Sequence, residues 1–230
     1  MSLTSRPTDH AAVTDDDRRE LDLLADQLAR MRGMLFGYSD LFFRRIRDWA
    51  LVAIVLLVLG TSGIAPVAVV LVPFVVPFAF LETGYLFYYT VFARRHAEYL
   101  ERAINTRFER DVLVAHRLEA AYFYPPDAPK IAAFSLGNPT GMMSVATLGY
   151  AAGAGLLWTA GMFGLVAWVG DQGSGGIVAA LPAAGIIWTV AIAGYLVWVF
   201  VARHDERRLL AELERAYPRD RVDGPSSPDV

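Results

Sequence analysis

Two long stretches of this sequence are almost free of charge. Residues 49–93 contain one charged residue, Glu82, and residues 131–202 also contain one, Asp171. Apolar runs of about 18 or more residues with so little charge are the signature of helices that cross a bilayer. The whole chain is 55% apolar, more than a soluble domain usually carries. The sequence therefore predicts an all-α polytopic membrane protein.

The lengths of these stretches predict four transmembrane helices in two hairpins. Residues 49–93 are about twice as many as one crossing needs, so we expect a hairpin that turns at the glycines and proline of 60–66. A third crossing fits 144–169 and a fourth fits 177–202, with a glycine-rich turn at 170–176 between them. Four crossings return the chain to the side on which it starts.

The basic residues predict the orientation. All 21 lie outside the two expected outer turns: eight precede the first span, seven lie in the central loop and six follow the last span. Cytoplasmic segments are enriched in Lys and Arg. We therefore expect a multi-pass protein of the cytoplasmic membrane with both ends in the cytoplasm. The strong preference for Arg over Lys favours a bacterial inner membrane.

Composition and periodicity divide the chain into seven segments. Acidic residues after Thr14 are typical of a helix start, and the Pro-, Ser- and Asp-rich end is typical of disorder. We predict a disordered N-terminus (1–14), a cytoplasmic amphipathic helix (15–48), transmembrane hairpin 1 (49–93), a cytoplasmic helix with a Pro-rich linker (94–143), transmembrane hairpin 2 (144–202), a cytoplasmic helix (203–217) and a disordered tail (218–230).

Two apolar stripes mark the cytoplasmic helices. The first repeats three and four residues apart, as a coiled-coil seam does, and predicts self-association through Leu21, Leu24, Leu28, Met31 and Leu35. The second predicts one continuous helix that carries Ala97, Leu100, Ile104, Phe108, Val112 and Ala115. We expect the stripes to pack on each other or on a second subunit.

Glu82 stands out because an ionisable residue in an apolar span is costly and often functional. Helix lengths counted from the outer turn place it at the inner membrane interface, level with Arg44, Arg45 and Arg47. Two interpretations remain open. Glu82 either forms an interfacial salt bridge or contributes to a charged ring at the inner mouth of a pore.

The third predicted span contains a pair of glycines four residues apart. Gly149 and Gly153 form a GxxxG motif, which lets helix backbones approach closely. The motif predicts either a tight hairpin with the fourth span or an interface between subunits.

Prolines in the second predicted span are hinge candidates. Pro73 and Pro77 lie four residues apart in an apolar segment, where a proline bends a helix and frees a carbonyl. A hinge for gating and a fixed bend that fits the helix to its neighbours are both consistent with this spacing.

The sequence does not favour an enzyme. Gly60-Thr61-Ser62-Gly63 resembles the GxSG serine motif of rhomboid-type intramembrane proteases, but all four histidines lie outside the predicted spans. Without a facing histidine the hydroxyl has no base to activate it, so we interpret the motif as a turn. The chain has no cysteine, and no histidine has a glutamate three residues before it, so we expect no metal site and no cofactor.

The charge balance bears on partners. Each predicted cytoplasmic segment carries nearly equal numbers of acidic and basic residues, so a nucleic-acid partner is not expected. The clustered juxtamembrane arginines are suited to anionic lipid headgroups. Two functions remain. The first is a homo-oligomeric pore gated by its cytoplasmic helices; the alternative is a non-conducting membrane adaptor that docks a cytoplasmic protein through its helical stripe.

Overall fold

The computed structural model describes residues 15–108, 110–122, 130–131, 134–135, 142–172, 176–202 and 204–217. Their regular structure is helical, apart from an antiparallel pairing of two short strands, β1 (Lys130–Ile131) and β2 (Phe134–Ser135). The predicted helical fold class is confirmed at this level. The predicted disordered ends, 1–14 and 218–230, and most of the Pro-rich linker lie outside the described residues.

The first helix, α1 (Asp15–Thr61), is a single helix of 47 residues. Three aspartates occupy its first turn, where negative charge favours the exposed N–H groups of the helix. It continues through Gly33 and Gly37, although glycine has a low helix propensity. The predicted amphipathic helix and the first apolar segment therefore form one rod about 70 Å long.

A tight turn reverses the chain after α1. Gly63 has φ of +79°, a backbone conformation that glycine adopts without steric cost. A 3₁₀ helix (Pro66–Leu71) leads into α2 (Val72–Arg107). A side chain at Gly60 would place its Cβ 2.6 Å from the Cβ of Val69, so glycine is what lets the two arms meet.

The helices α1 and α2 pack antiparallel along almost their full length. Trp49 meets Phe78 with ring centroids 5.7 Å apart, and Tyr38 stacks on Tyr89 at 5.1 Å. Near the start of the chain, Arg107 pairs with Glu20. The pairing thus extends from the turn into the charged region, well beyond the apolar segments.

Two further long helices pack on this pair. They are α4 (Met142–Gln172) and α5 (Leu181–Ala202), joined in part by a second 3₁₀ helix (Gly176–Ala180). Gly161 and Gly164 of α4 lie against Val72 and Val69, where an added Cβ would come within 2.5 and 2.3 Å of side-chain atoms. Gly185 of α5 lies against Pro73. The helix α2 is therefore the common neighbour of the others.

Within the part of the chain that the structure describes, three helices are long and apolar enough to cross a membrane. They cover Pro66–Arg107, Ser144–Gln172 and Gly176–Phe200, with mean hydropathies of 2.1, 1.5 and 2.1. The apolar part of α1 comprises only residues 49–61, fewer than the roughly 20 that one crossing requires. Length and composition thus establish three candidate crossings of the four that the sequence predicts.

Two short helices complete the charged end of the molecule. They are α3 (Ala115–Tyr122) and α6 (His204–Ala216). The prediction of one helix from Ala97 to Ala115 is wrong, because α2 ends at Arg107 and residues 111–114 are not helical. Asn105 explains the break: its Oδ1 accepts the backbone N–H groups of Val112 and Leu113 at 3.0 and 2.8 Å.

Candidate functional site

Glu82 lies between two side chains of α1. Its Oε1 is 3.4 Å from Nε of Arg45, and its Oε2 accepts a hydrogen bond from the indole N–H of Trp49. The structure therefore brings together two of the four charged residues predicted for an inner mouth. Arg44 and Arg47 pair with Asp40 and Asp48 instead.

Helical spacing explains why these groups meet. Arg45 and Trp49 are four residues apart on α1, and Phe78 and Glu82 are four apart on α2, so each pair lies on one helix face. The edge-on contact of Trp49 with Phe78 aligns the two faces. We call Arg45, Trp49, Phe78 and Glu82 the Glu82 cluster.

Aromatic side chains of α1, α2 and α5 lie close to the Glu82 cluster. Tyr85 and Tyr89 of α2 join through their hydroxyls at 3.0 Å, one or two turns after Glu82. On α5, Tyr195 and Trp198 lie 6.1 Å apart, and the neighbouring Leu196 contacts α2 at Gly84. We call Tyr38, Tyr85, Tyr89, Tyr195 and Trp198 the aromatic collar. In membrane proteins Tyr and Trp concentrate where lipid headgroups begin.

Most side chains of the predicted self-association seam pack against α2 of the same chain. Met31 is buried with Ala97 and Leu100 of α2, and Leu24 and Leu28 pack against the same cluster. Leu21 and Leu35 are half-buried. The two apolar stripes thus pack on each other, which is one of the two expected arrangements.

The predicted GxxxG pair has no neighbour within the described chain. A Cβ added at Gly149 or at Gly153 would meet nothing within 4 Å. The close approaches of α4 occur instead at Gly161 and Gly164, on the surface that faces the first 3₁₀ helix and α2. The face with Gly149 and Gly153 remains open.

The two hinge candidates occupy different positions. Pro73 lies in the first turn of α2, where a proline is readily accepted because its N–H would have no helical partner. Pro77 lies inside the helix and frees a carbonyl of the preceding turn. The neighbouring carbonyl of Phe74 accepts the indole N–H of Trp188 at 3.1 Å, so α5 contacts the backbone of α2 within one turn of Pro77.

The most buried charged side chain among the described residues was not identified from the sequence. Glu101 of α2 is 1% exposed. It accepts a hydrogen bond from Arg32 of α1, and its Oε2 lies 3.0 Å from both the backbone nitrogen and Nδ1 of His116 on α3. Arg32 also pairs with Glu119, which lies 3.4 Å from Nε of Arg94. These five residues form the Glu101 network.

Hydrogen bonding sets the charge of Glu101. Glu101 lies outside the apolar part of α2, which ends at Ala93. Burial alone would raise the pKa of Glu101, but the bonds from Arg32 and His116 outweigh it and hold that pKa below its ordinary value. The sequence did contain a signal for the burial of Glu101. It falls four residues after Ala97 and three before Ile104, on the same face as the apolar stripe.

His96 is a second buried polar group of this region. Its Nε2 lies 3.3 Å from Nε2 of Gln27 and 3.2 Å from the hydroxyl of Tyr217, while its buried Nδ1 has no hydrogen-bond partner in the described part of the chain. Burial lowers the pKa of His96. The ring therefore favours the neutral form where α1, α2 and the end of α6 meet.

Within the ranges that the structure describes, no three His, Asp or Glu side chains are grouped as metal ligands. Comparison of the whole chain with protein-family models, with curated proteins and with solved structures finds no match. Function is therefore inferred from the two clusters, the open glycine face and the distribution of charge.

Proposed function

We propose that the protein is a multi-pass protein of the cytoplasmic membrane with four crossings in two hairpins and both ends in the cytoplasm. Three helices have the required length and hydropathy. The basic residues flank only the ends that we assign to the cytoplasm. Bacterial origin of that membrane rests on the Arg-rich composition.

The fourth crossing is supported by the packing of α1. Its apolar part covers about 20 Å, which is shorter than the hydrocarbon core. However, Gly60 of α1 contacts Val69, and Val69 also contacts Gly164 of α4. The C-terminal end of α1 therefore lies level with the C-terminal half of α4. If α2 and α4 cross, α1 crosses with them. The remaining length is supplied by the turn and by the long stem of Arg45.

Within that membrane we propose a non-conducting scaffold that holds a folded helical unit at the cytoplasmic face. The observation that carries this proposal is the pairing of Glu82 with Arg45 and Trp49. A charge that selects ions must line a water path, whereas Glu82 lies against α1, with one carboxylate oxygen near Arg45 and the other accepting the indole N–H of Trp49. The unit presented to the cytoplasm consists of the N-terminal part of α1, the C-terminal part of α2, α3 and α6. A cytoplasmic protein is its proposed partner.

An oligomeric pore remains the second candidate. The observation that favours it is the open face with Gly149 and Gly153, which could pack on a second copy and place a path between subunits. The same face equally supports a homo-oligomeric scaffold. Oligomerisation alone therefore does not separate the two functions, and conduction does.

Ion flux from liposomes is the deciding experiment. The scaffold predicts that liposomes containing the purified protein release ions no faster than empty ones, for the wild type and for Glu82→Gln alike. A pore predicts flux that rises with protein density and changes in selectivity with Glu82→Gln. Glu212→Gln, which alters an exposed pair on α6, serves as the matched control. Flux that depends on Glu82 would overturn the scaffold.

The scaffold also predicts a specific contact on the cytoplasmic unit. A photo-crosslinking residue in place of Phe36, which is 71% exposed, should give one discrete heteromeric product in cells, and one in place of the buried Leu100 should not. The product should disappear when Ala29, one heptad before Phe36 on the same face of α1, is replaced by Asp. Equal products at both crosslinking positions would contradict a defined docking face.

A further inference from the structure

Arg45 keeps most of its hydrogen-bonding capacity unused. Its Nε lies 3.4 Å from Oε1 of Glu82, and its two terminal nitrogens donate no hydrogen bond to any residue that the structure describes. Its side chain is 46% exposed. Arg44 and Arg47, by contrast, each direct Nη2 to a carboxylate of α1 itself. Arg45 is therefore the juxtamembrane arginine with a free planar fork of donors.

Glu82 has spare capacity next to those donors. Each of its carboxylate oxygens makes one contact, and a carboxylate oxygen can accept more than one hydrogen bond. Its side chain is 29% exposed. On the same helix, Phe78 is 44% exposed and Tyr85 is 59% exposed. The cluster thus presents a cation, an anion and apolar surface side by side.

The position of the cluster indicates what reaches it. The aromatic collar begins one turn from Glu82, at the level where lipid headgroups meet the hydrocarbon. A planar guanidinium binds a phosphodiester through two parallel hydrogen bonds. A carboxylate beside it repels a second negative charge but favours an ammonium group. The neutral pair is therefore complementary to a headgroup that is itself neutral and carries both charges.

We propose that the Glu82 cluster binds the headgroup of a zwitterionic aminophospholipid, with the phosphate on the terminal nitrogens of Arg45 and the primary ammonium on Glu82. The acyl chains then lie along the exposed surface next to Phe78. Phosphatidylcholine fits less well because its quaternary nitrogen has no N–H to donate. Phosphatidylglycerol fits less well because it offers Glu82 no cation.

The test measures lipid-dependent stabilisation in detergent. Short-chain phosphatidylethanolamine, phosphatidylcholine and phosphatidylglycerol are each titrated against the purified protein, and the rise in melting temperature is recorded for each. We expect phosphatidylethanolamine to give the largest rise. Arg45→Gln and Glu82→Gln should each weaken its apparent binding about tenfold to a hundredfold, the usual effect of losing a charge-assisted hydrogen bond. Arg44→Gln is the matched control and should retain it.

The comparison uses the rise for each variant rather than its absolute melting temperature, so a less stable variant still reports on binding. Equal rises with all three lipids would overturn the proposal, as would a larger rise with phosphatidylglycerol or retention of the preference by Arg45→Gln. Inorganic phosphate and soluble glycerophosphoethanolamine should give no rise, because the acyl chains are part of the ligand.

This inference rests on the proposed membrane insertion but not on the choice between scaffold and pore. Fractionation of cell membranes separates the two failures. Protein that sediments with membranes but shows no lipid preference contradicts the lipid site alone. Protein that remains in the supernatant without detergent contradicts the proposed membrane location.

Discussion

The Oε2 atom of Glu101 lies 3.0 Å from both the backbone nitrogen and Nδ1 of His116, so one buried carboxylate holds the first turn of α3. The same carboxylate accepts a hydrogen bond from Arg32 of α1. The short helix α3 is thereby fixed to the two long helices by charge. The first turn of a helix offers unsatisfied N–H groups, which a carboxylate satisfies well.

Replacement of Glu101 by Gln should destabilise the charged end of the protein. The change leaves Arg32 partly buried without its main counter-charge, and breaking a buried ion pair in this way costs about 3 kcal/mol. Hydrogen exchange followed by mass spectrometry should show earlier opening of α3 than of α4. Glu212→Gln, at an exposed pair, should change stability by less than about 0.5 kcal/mol. Unchanged protection of α3 would contradict the assigned role of Glu101.

Acid should destabilise the protein through His96. Because burial lowers its pKa from the ordinary value of 6.5, the unfolded chain takes up a proton that the folded chain resists. The contribution is fully present above pH 6.5 and is lost as the pH falls through the lowered folded pKa. His96→Gln, which keeps a polar group but does not titrate, should flatten the melting temperature between neutral and mildly acidic pH. An identical pH profile for both proteins would contradict this prediction.

Packing between α4 and the first hairpin should be intolerant of a single methyl group. A Cβ at Gly164 would come within 2.3 Å of Cγ2 of Val69, so Gly164→Ala must displace one of the two helices. We expect a loss of about 1–3 kcal/mol, the usual cost of overpacking. Gly155→Ala, in open space on the same helix but away from the face with Gly149 and Gly153, should be neutral or slightly stabilising because alanine favours helix. Thermal unfolding in one detergent compares the two variants directly.

The open face of α4 should mediate self-association. Gly149→Leu combined with Gly153→Leu places two large side chains where the described chain has no neighbour, so the subunit fold should persist. Close helix contact between copies should be lost. Native electrophoresis or mass photometry should then show a smaller particle with an unchanged melting temperature. A particle of unchanged size would place the subunit interface elsewhere or indicate a monomer.

The proposed topology can be tested by labelling because the chain has no native cysteine. A membrane-impermeant maleimide applied to intact cells should modify Ser62→Cys, in the exposed turn after α1, but not Thr106→Cys near the end of α2. Both should react after the membrane is permeabilised. Labelling of Thr106→Cys in intact cells would reverse the orientation, and labelling of neither would contradict an exposed outer turn.

Much of the local structure follows from residue patterns. The acidic start of α1, the turn near Gly63 and the long apolar helices are encoded within a few residues of where they occur. The contact of Glu82 with Arg45 could also be predicted, because two antiparallel helices from a known turn bring fixed positions to the same level. The sequence left open only whether this contact is an interfacial salt bridge or part of a charged ring at a pore mouth.

The rest depended on partners distant in the sequence. The end of α2 was missed because apolar spacing continues past Arg107, while the side chain of Asn105 satisfies a non-helical segment. Glu101 was missed because its partners come from α1 and α3, and periodicity does not show which charges share a buried space. Likewise, nothing in a GxxxG motif tells which glycines have a neighbour and which remain open.

In the proposed topology, the continuity of α2 links the bilayer to the cytoplasmic unit. Between Phe78 and Arg107 it is a rod about 45 Å long, and one end is held by α4 and α5 while the other carries Glu101. A membrane that becomes thinner or thicker changes the tilt of the helices that cross it. A tilt of about 10° would swing the far end of such a rod by about 8 Å. With the proposed crossing, the position of α3 would follow the thickness of the lipid around the opposite end of α2.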